Sequence, residues 1–306
     1  MMNPVSRMVV LGGLGQVGQL ITDSFAPTGT DVYIVDILKR PPNIAAERYL
    51  QVNVTEPSDS LLHLIGSADC VILSLPQHTT VAASGAVLEA MSEKSLWVDT
   101  SSVKQELCQL LKAYEGRREI LSLNPMFAPS LPFDGQVMAV IEFSGGPKSK
   151  WFCAKLQSLG VELEIMTAET HDNLTGAIQI ATHAAVVSFG VALARLGYNV
   201  TQALTIATPP HLLLVSLLHR IVNANPAVYW EIQHHHPHAT SVRKELFEAL
   251  ETLDSAAASD SSAEFQKLFE ELRLVLAPRQ GLLSKLSEAF VTETKNSRRL
   301  QIERSD

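Results

Sequence analysis

The chain has 306 residues, 46% hydrophobic and 18% charged, enough apolar material for the cores of about two domains. A net charge of −8 argues against nucleic acid or an anionic membrane surface as the main partner. Cys70, Cys108 and Cys153 show no metal-ligand spacing and point to a reducing, cytoplasmic compartment.

The first predicted strand starts by Met8, which leaves no room for a signal peptide. Met8 to Leu11 is a short apolar run. Gly13, Gly15 and Gly18 follow in the order G-x-G-x-x-G, and Val17, Leu20, Ile21 and Phe25 continue at helical spacing. Val32 to Val35 predicts a second strand, ending on Asp36. Strand, glycine turn, helix, strand and acid, in that order, form the dinucleotide-binding signature. Gly13 is expected to allow the tight turn, Gly15 to let the backbone approach a pyrophosphate, and Gly18 to let helix pack on strand. Leu14, Gln16 and Val17 complete the loop and first helical turn, where unpaired N–H groups and the positive dipole end suit an anion. Asp36 follows Gly18 at close to the usual spacing of about 20 residues for the acid on the ribose hydroxyls. Lys39 and Arg40 suit a 2′-phosphate, but Asp36 repels one, so NAD is preferred to NADP. A flavin site or a degenerate nucleotide fold is the alternative.

Strand and helix signals then alternate to about residue 166. Asp69 to Ser74 predicts a buried strand, followed by Leu75, Pro76 and a small-residue helix from Val81 to Met91. Ser95 to Asp99 is the next strand, running into Thr100-Ser101-Ser102-Val103-Lys104. Ile120-Leu121, a turn from Asn124 to Pro129, a strand from Gln136 to Ile141, a helix from Trp151 to Leu159 and a strand from Val161 to Ile165 complete this half. The pattern predicts a doubly wound α/β sheet of Rossmann type over residues 1–167. Ligands sit beyond the carboxyl ends of such strands. Ser74, Leu75, Pro76, Ser101, Ser102 and Asn124 are expected at that edge, near the nicotinamide.

Residues 168–306 read as helical throughout. Thr170 is expected to cap a helix from His171 to about Leu196, stopped by Gly197. Thr208-Pro209 opens a helix to about Val222, and Asn225-Pro226 repeats the device. Pro237 breaks the chain after a histidine cluster. Ser241 to Leu253 is amphipathic, Ser255 to Ser262 reads as a linker, and helices follow over about 263–276 and 282–294, with a frayed tail from Lys295. The run 184–194 is too short to span a bilayer. An apolar helix of this length still needs cover, so a homodimer through the helical half is expected.

Several residues carry two readings. Arg220, a charge in an apolar helical run, suits a carboxylate through its guanidinium fork, or a structural ion pair. Gln179 and His183 are four apart on one helix face, and in so apolar a setting a histidine such as His183 is more often a satisfied core residue than a ligand. Ser101 and Ser102 suit a helix cap at Val103, with Lys104 as a solvated helix residue. His234 to His238 lacks metal-ligand spacing and reads as a loop; no metal is expected.

Taken together, residues 12–18, Val98 to Lys104, Leu123 to Pro129, His171-Asp172 with Gln179 and His183, and Leu218-His219-Arg220 with Tyr229 resemble the prephenate dehydrogenases. The likeness runs in order from residue 8 to about 235, with no room before it for the chorismate mutase domain of some members. The resemblance implies NAD-dependent oxidative decarboxylation. A hydride leaves the ring carbon bearing the 4-substituent, carbon dioxide departs and the ring becomes aromatic. It implies that Arg220 holds a substrate carboxylate, that Ser102 hydrogen-bonds substrate and catalytic group, and that His183 and Gln179 lie on the substrate-facing helix.

One position departs from the family pattern. Members that use prephenate carry a histidine before Pro-Met-Phe-Gly-Pro, which accepts the proton of the 4-hydroxyl. Here that position is Asn124, and the glycine is Ala128. An amide is no general base, and losing one costs on the order of 10²–10⁴ in rate. An amine at ring position 4 donates its own lone pair, and Asn124 can accept its N–H. The expected activity is therefore that of the family branch acting on 4-amino-4-deoxyprephenate, on the route to 4-aminophenylalanine and specialised metabolites. The alternatives are a prephenate or arogenate dehydrogenase using water or a histidine of the 234–238 cluster, and a non-catalytic sensor of NAD and ligand. A β-hydroxyacid dehydrogenase would want a lysine between His171 and Leu196, where there is none.

Overall fold

Alternation along the first strand sets the two layers of the N-terminal half. The computed structural model describes residues 4–302, without the side chains of 295 and 297–302. In β1 (Arg7–Leu11), Met8 and Val10 enter one apolar cluster, and Val9 and Leu11 enter the other, on the opposite face. α1 (Gln16–Phe25) follows, then β2 (Asp31–Asp36), β3 (Tyr49–Gln51), α2 (Asp59–Gly66), β4 (Cys70–Leu73), α3 (Gln77–Ala90) and β5 (Leu96–Asp99). α4 (Gln105–Leu111), β6 (Glu119–Pro125), β7 (Val137–Ser144), α5 (Pro147–Ser158) and β8 (Glu162–Ile165) close the half. The eight strands lie in the order β3-β2-β1-β4-β5-β6-β7-β8. All neighbours are parallel except β6 and β7.

The expected doubly wound sheet is therefore present, with one antiparallel pair. β3 is too short, at three residues, for periodicity to show it, whereas α2 carries Leu61, Leu62, Leu64 and Ile65 at helical spacing, a signal the sequence reading passed over. Asn124 and Pro125 are not the start of a turn: they continue β6 and pair with Ala139 and Met138. One face is filled by Phe25 stacked on Phe152, ring centroids 4.8 Å apart. The other holds Trp97, Leu61 and Leu88, all fully buried.

The chain falls into two compact units that part between Thr175 and Gly176, later than 167/168, and residues 235–237 return to the first unit. The reason is that α6 (Ala168–Thr175) places His171 and Asp172 in the hydrogen-bond network of the first unit. Its cap is Thr167, whose Oγ1 accepts from Thr170 N at 3.1 Å, not Thr170 itself.

The second unit begins with a π-helical turn, Gly176–Ala181, and α7 (Thr182–Arg195). Gly197 stops α7 at φ +66°, as expected. α8 (Val200–Ile206), which the sequence reading missed, is capped by Asn199. α9 (Pro209–Val222), α10 (Pro226–His235), α11 (Ala239–Ala258), α12 (Ala263–Leu276) and α13 (Gln280–Ile302) follow. The expected linker from Ser255 is helical to Ala258, and the backbone stays helical past Lys295 to Ile302, where fraying was expected. Residues 303–306 of that tail lie outside the described residues. α7 lies close on α9 because Gly190 has no side chain; a Cβ there would sit 2.6 Å from Leu218 Cδ1.

Helical backbone runs unbroken over Ala168–Arg195, 28 residues, long and apolar enough to cross a membrane by length and composition. The shortness of 184–194 is thus no argument against a span. Much of the unit's apolar surface is uncovered: Leu196 is 80% exposed and Ile206 84%.

Gly18 tests the sheet-to-helix contact. A Cβ there would lie 2.3 Å from Gly12 O and 2.8 Å from Gly13 Cα, both backbone atoms with little freedom to retreat. Gly18→Ala should lower stability by about 1–3 kcal/mol, read as an earlier urea midpoint. An unchanged midpoint would show that the loop yields.

Candidate active site

The nucleotide cleft is built at the carboxyl ends of β1, β2 and β4. Gly12 N donates to Val35 O at 2.8 Å, and Gly15 N to Gly12 O at 3.1 Å. The left-handed turn falls on Gly12, at φ +79°, where Gly13 was expected. A Cβ on Gly12 would strike Ser74 O at 2.2 Å, whereas one on Gly13 would meet Ile34 Cγ2 at 2.8 Å. Gly12 makes the turn and Gly13 makes room for β2. Asp36 ends β2 as expected; Oδ2 accepts from Leu14 N at 3.0 Å and Oδ1 from Leu38 N at 3.1 Å. The carboxylate thereby clamps the glycine loop.

A cleft of about 430 Å³ opens here, lined by Gly12, Gly15, Asp36, Ser74, Leu75 and Pro76, with Asn53, Thr55 and Thr79, which sequence reasoning passed over. Gln16 and Val17 open α1, so their N–H groups have no helical acceptor. A glycine loop with no room for Cβ atoms, an acid at the end of β2 and a bare helix start fit a dinucleotide.

A second cluster lies at the ends of β5 and β6. Lys104 was expected in solvent; it is fully buried. Its Nζ donates to Leu123 O at 2.7 Å, Ser122 Oγ at 2.8 Å and Asp99 Oδ1 at 3.3 Å. Burial pulls the Lys104 ammonium below its ordinary pKa, against the Asp99 carboxylate that raises it. Ser101 and Ser102 do not cap α4, which starts at Gln105. Asp172 does so from α6: Oδ1 accepts from Lys104 N at 3.1 Å and Oδ2 from Gln105 N at 2.9 Å. Ser101 N donates to Asp99 Oδ1 at 3.0 Å, while Ser101 Oγ is buried without a partner. Ser102 is half-buried.

Asn124, 2% exposed, meets this network through His171. Asn124 Nδ2 lies 2.9 Å from His171 Nε2, and His171 Nδ1 lies 2.7 Å from Asp172 Oδ1. Burial pushes the Asp172 pKa up, but the His171 hydrogen bond and the two backbone N–H groups outweigh it and hold the carboxyl below its ordinary range. His171 and Asp172 stood in the resemblance without a role. Their distance in sequence from Asn124 and Lys104 hid the contact.

The helical unit carries the other expected residues. Arg220 is exposed near the end of α9, and no carboxylate pairs with it among the described residues. The structural ion pair is absent there. His183 packs edge-on against Tyr229, ring centroids 4.8 Å apart. Gln179 lies in the π turn, so α-helical spacing does not carry from it to His183. Gln179 Oε1 and His183 Nδ1 are both buried without a partner. In the histidine cluster, His234 stacks on Trp230 and buried His236 places Nε2 3.1 Å from Thr175 Oγ1. No group of three metal-binding side chains occurs among the described residues.

Two family models match the sequence: the prephenate dehydrogenase nucleotide-binding domain over residues 25–139, and the prephenate dehydrogenase dimerization domain over 167–272. The chain belongs to the prephenate dehydrogenase family. It is a dehydrogenase whose helical half matches the family's dimerization domain. A relative from Streptomyces pristinaespiralis named 4-amino-4-deoxyprephenate dehydrogenase is 33% identical over 288 residues, 94% of this chain and 96% of the relative. A probable arogenate/prephenate dehydrogenase of Methanocaldococcus jannaschii is 23% identical over 89% of this chain and 61% of its own length. The fold matches the prephenate dehydrogenase of A. aeolicus, solved with hydroxyphenyl propionate and NAD+, at TM-score 0.67 and 17% identity, over 89% of this chain and 98% of that one. The NAD expected from Asp36 agrees with this family.

In this dehydrogenase, burial and the Arg220 charge both lower the His183 pKa from its ordinary 6.5. Just below pH 6.5 the unfolded chain binds a proton that folded His183 refuses, so His183 costs stability as pH falls through that window. Ring-proton NMR should give His183 a midpoint below 6.5. A midpoint at or above it would contradict this environment.

Proposed function

We propose that the chain catalyses NAD-dependent oxidative decarboxylation of 4-amino-4-deoxyprephenate to 4-aminophenylpyruvate and carbon dioxide. NAD supplies the acceptor for the hydride that leaves ring carbon 4. The observation that carries the reading is Asn124, a group unable to take a proton at the position where, by the family resemblance, prephenate users carry histidine. Nitrogen is a much stronger lone-pair donor than a hydroxyl oxygen. The cationic nitrogen keeps both protons until loss of carbon dioxide returns the electron pair and the ring is aromatic. No proton has to leave during the slow step, so the missing base is tolerated.

The other roles follow from residue chemistry. Arg220, unpaired and exposed, offers a two-pronged site for a substrate carboxylate. His183, with its lowered pKa, stays neutral at pH 7 and adds no second cation. Gln179 and Ser101 offer unspent polar atoms, and Ser102 offers a hydroxyl. Gly15 and Asp36 face the cleft for the dinucleotide with Gly12, Ser74, Leu75 and Pro76 around it, Leu14, Gln16 and Val17 lead into α1 beside it, and Gly13 and Gly18 let the loop pack on β2 and α1. The S. pristinaespiralis relative, by its name, acts on the same amino compound.

One observation favours a prephenate or arogenate dehydrogenase instead: the His171–Asp172 pair beside Asn124 has the form of a general base. Against it, His171 is 1% exposed and its Nε2 already faces Asn124 Nδ2.

Steady-state formation of NADH from the two ring substrates separates the readings. The amino compound should be preferred by about 10²-fold in kcat/KM, and Asn124→His should raise prephenate turnover by a similar factor. Equal or faster turnover of prephenate by the unaltered chain would reject the amine reading.

The same family relation supports a homodimer through the helical unit, whose apolar surface needs cover. Sedimentation should return about twice the 33.4 kDa of one chain. A single-chain mass at working concentration would contradict it.

A further inference from the structure

The Asn124 carboxamide can be set two ways, with either its NH₂ or its oxygen toward His171. The choice is made by Asp172. Its carboxylate only accepts, so the His171 Nδ1 lying 2.7 Å from Oδ1 carries the ring proton. In the tautomer that carries its proton on Nδ1, Nε2 bears a lone pair. Asn124 Nδ2, 2.9 Å away, must be the donor. Asp172 cannot swing aside, because Lys104 N and Gln105 N also hold its two oxygens. Asp172, His171 and Asn124 are 0%, 1% and 2% exposed, so water does not relieve a reversed amide. Reversal would set the carboxamide oxygen against the Nε2 lone pair. The amide oxygen takes no part in these bonds.

We propose that His171 and Asp172 are positioning residues that hold the Asn124 oxygen as acceptor for an N–H on the ring's 4-substituent, and thereby set the preference for an amine. This rests on the reading that Asn124 meets that substituent. An amide oxygen facing the amine accepts an N–H and leaves the nitrogen lone pair free to enter the ring. A reversed amide would donate to that lone pair and hold it back. The selectivity is thus set by the tautomer of a histidine that need not touch the substrate.

The test compares two variants on both ring substrates. His171→Gln offers an acceptor oxygen in place of Nε2 and should keep the ratio of amine to hydroxyl kcat/KM. His171→Leu removes the acceptor and frees the amide to turn. The ratio should fall by about tenfold, through kcat for the amine more than through KM. If His171 merely supports the fold, both substrates lose equally and the ratio is unmoved in both variants, which overturns the proposal.

A second measurement needs neither variant nor substrate. Long-range ¹H–¹⁵N spectra of the unaltered chain at neutral pH should show His171 protonated at Nδ1 and bare at Nε2. A proton on Nε2 overturns the proposal. A chain with the bare Nε2 that nevertheless prefers the hydroxyl substrate keeps the orientation of Asn124, and it is the amine reading that falls.

Discussion

The buried Asp172 carboxylate accepts from three donors: the His171 ring and the backbone N–H groups of Lys104 and Gln105. A short helix such as α4 begins with unpaired N–H groups, and here a residue distant in sequence satisfies them. The same oxygen that caps α4 fixes the His171 tautomer, and with it the face that Asn124 turns away. A carboxylate so placed ties the Ser-Val-Lys segment to the first helix after the sheet. Removing it would strip the cap and release the imidazole together.

Lys104 extends this constraint into the sheet. Its ammonium has no water to turn to, so it is matched by Asp99, by Ser122 Oγ and by the carbonyl of Leu123. Such a buried ion is favourable only when its hydrogen bonds are filled. The residue before Asn124 is thereby held at its carbonyl, and the end of β6 is fixed where the substrate chemistry is proposed to occur.

Much of the nucleotide half was legible because its logic is local. Gly15, Gly18 and Asp36 act within one strand–turn–helix–strand unit, and the apolar runs from Met8 and Asp69 are continuous. Where the reading slipped, a neighbour outside the unit decided. Gly12 has no room for a side chain because the chain leaving β4 brings Ser74 O to where a Cβ would sit. Lys104 looks like a solvated helix residue until β5 and β6 close around it. Asp172 carries no sign in sequence that it caps a helix 68 residues away. In the helical half, Gly197 and Pro209 marked their boundaries through local backbone chemistry. The π turn at Gly176–Ala181 left no periodic signal, because one widened turn keeps the apolar composition and shifts only the face.

The central proposal is that no proton moves to the enzyme as ring carbon 4 is oxidised. Substrate carrying deuterium at that carbon, turned over in ordinary and in heavy water, tests this most directly. Deuteration should slow turnover of the amino compound, and heavy water should leave that slowed step unchanged. A heavy-water effect appearing together with the deuterium effect would place a proton acceptor in the transition state, and a catalytic role for Asn124 as a mere hydrogen-bond acceptor would be untenable.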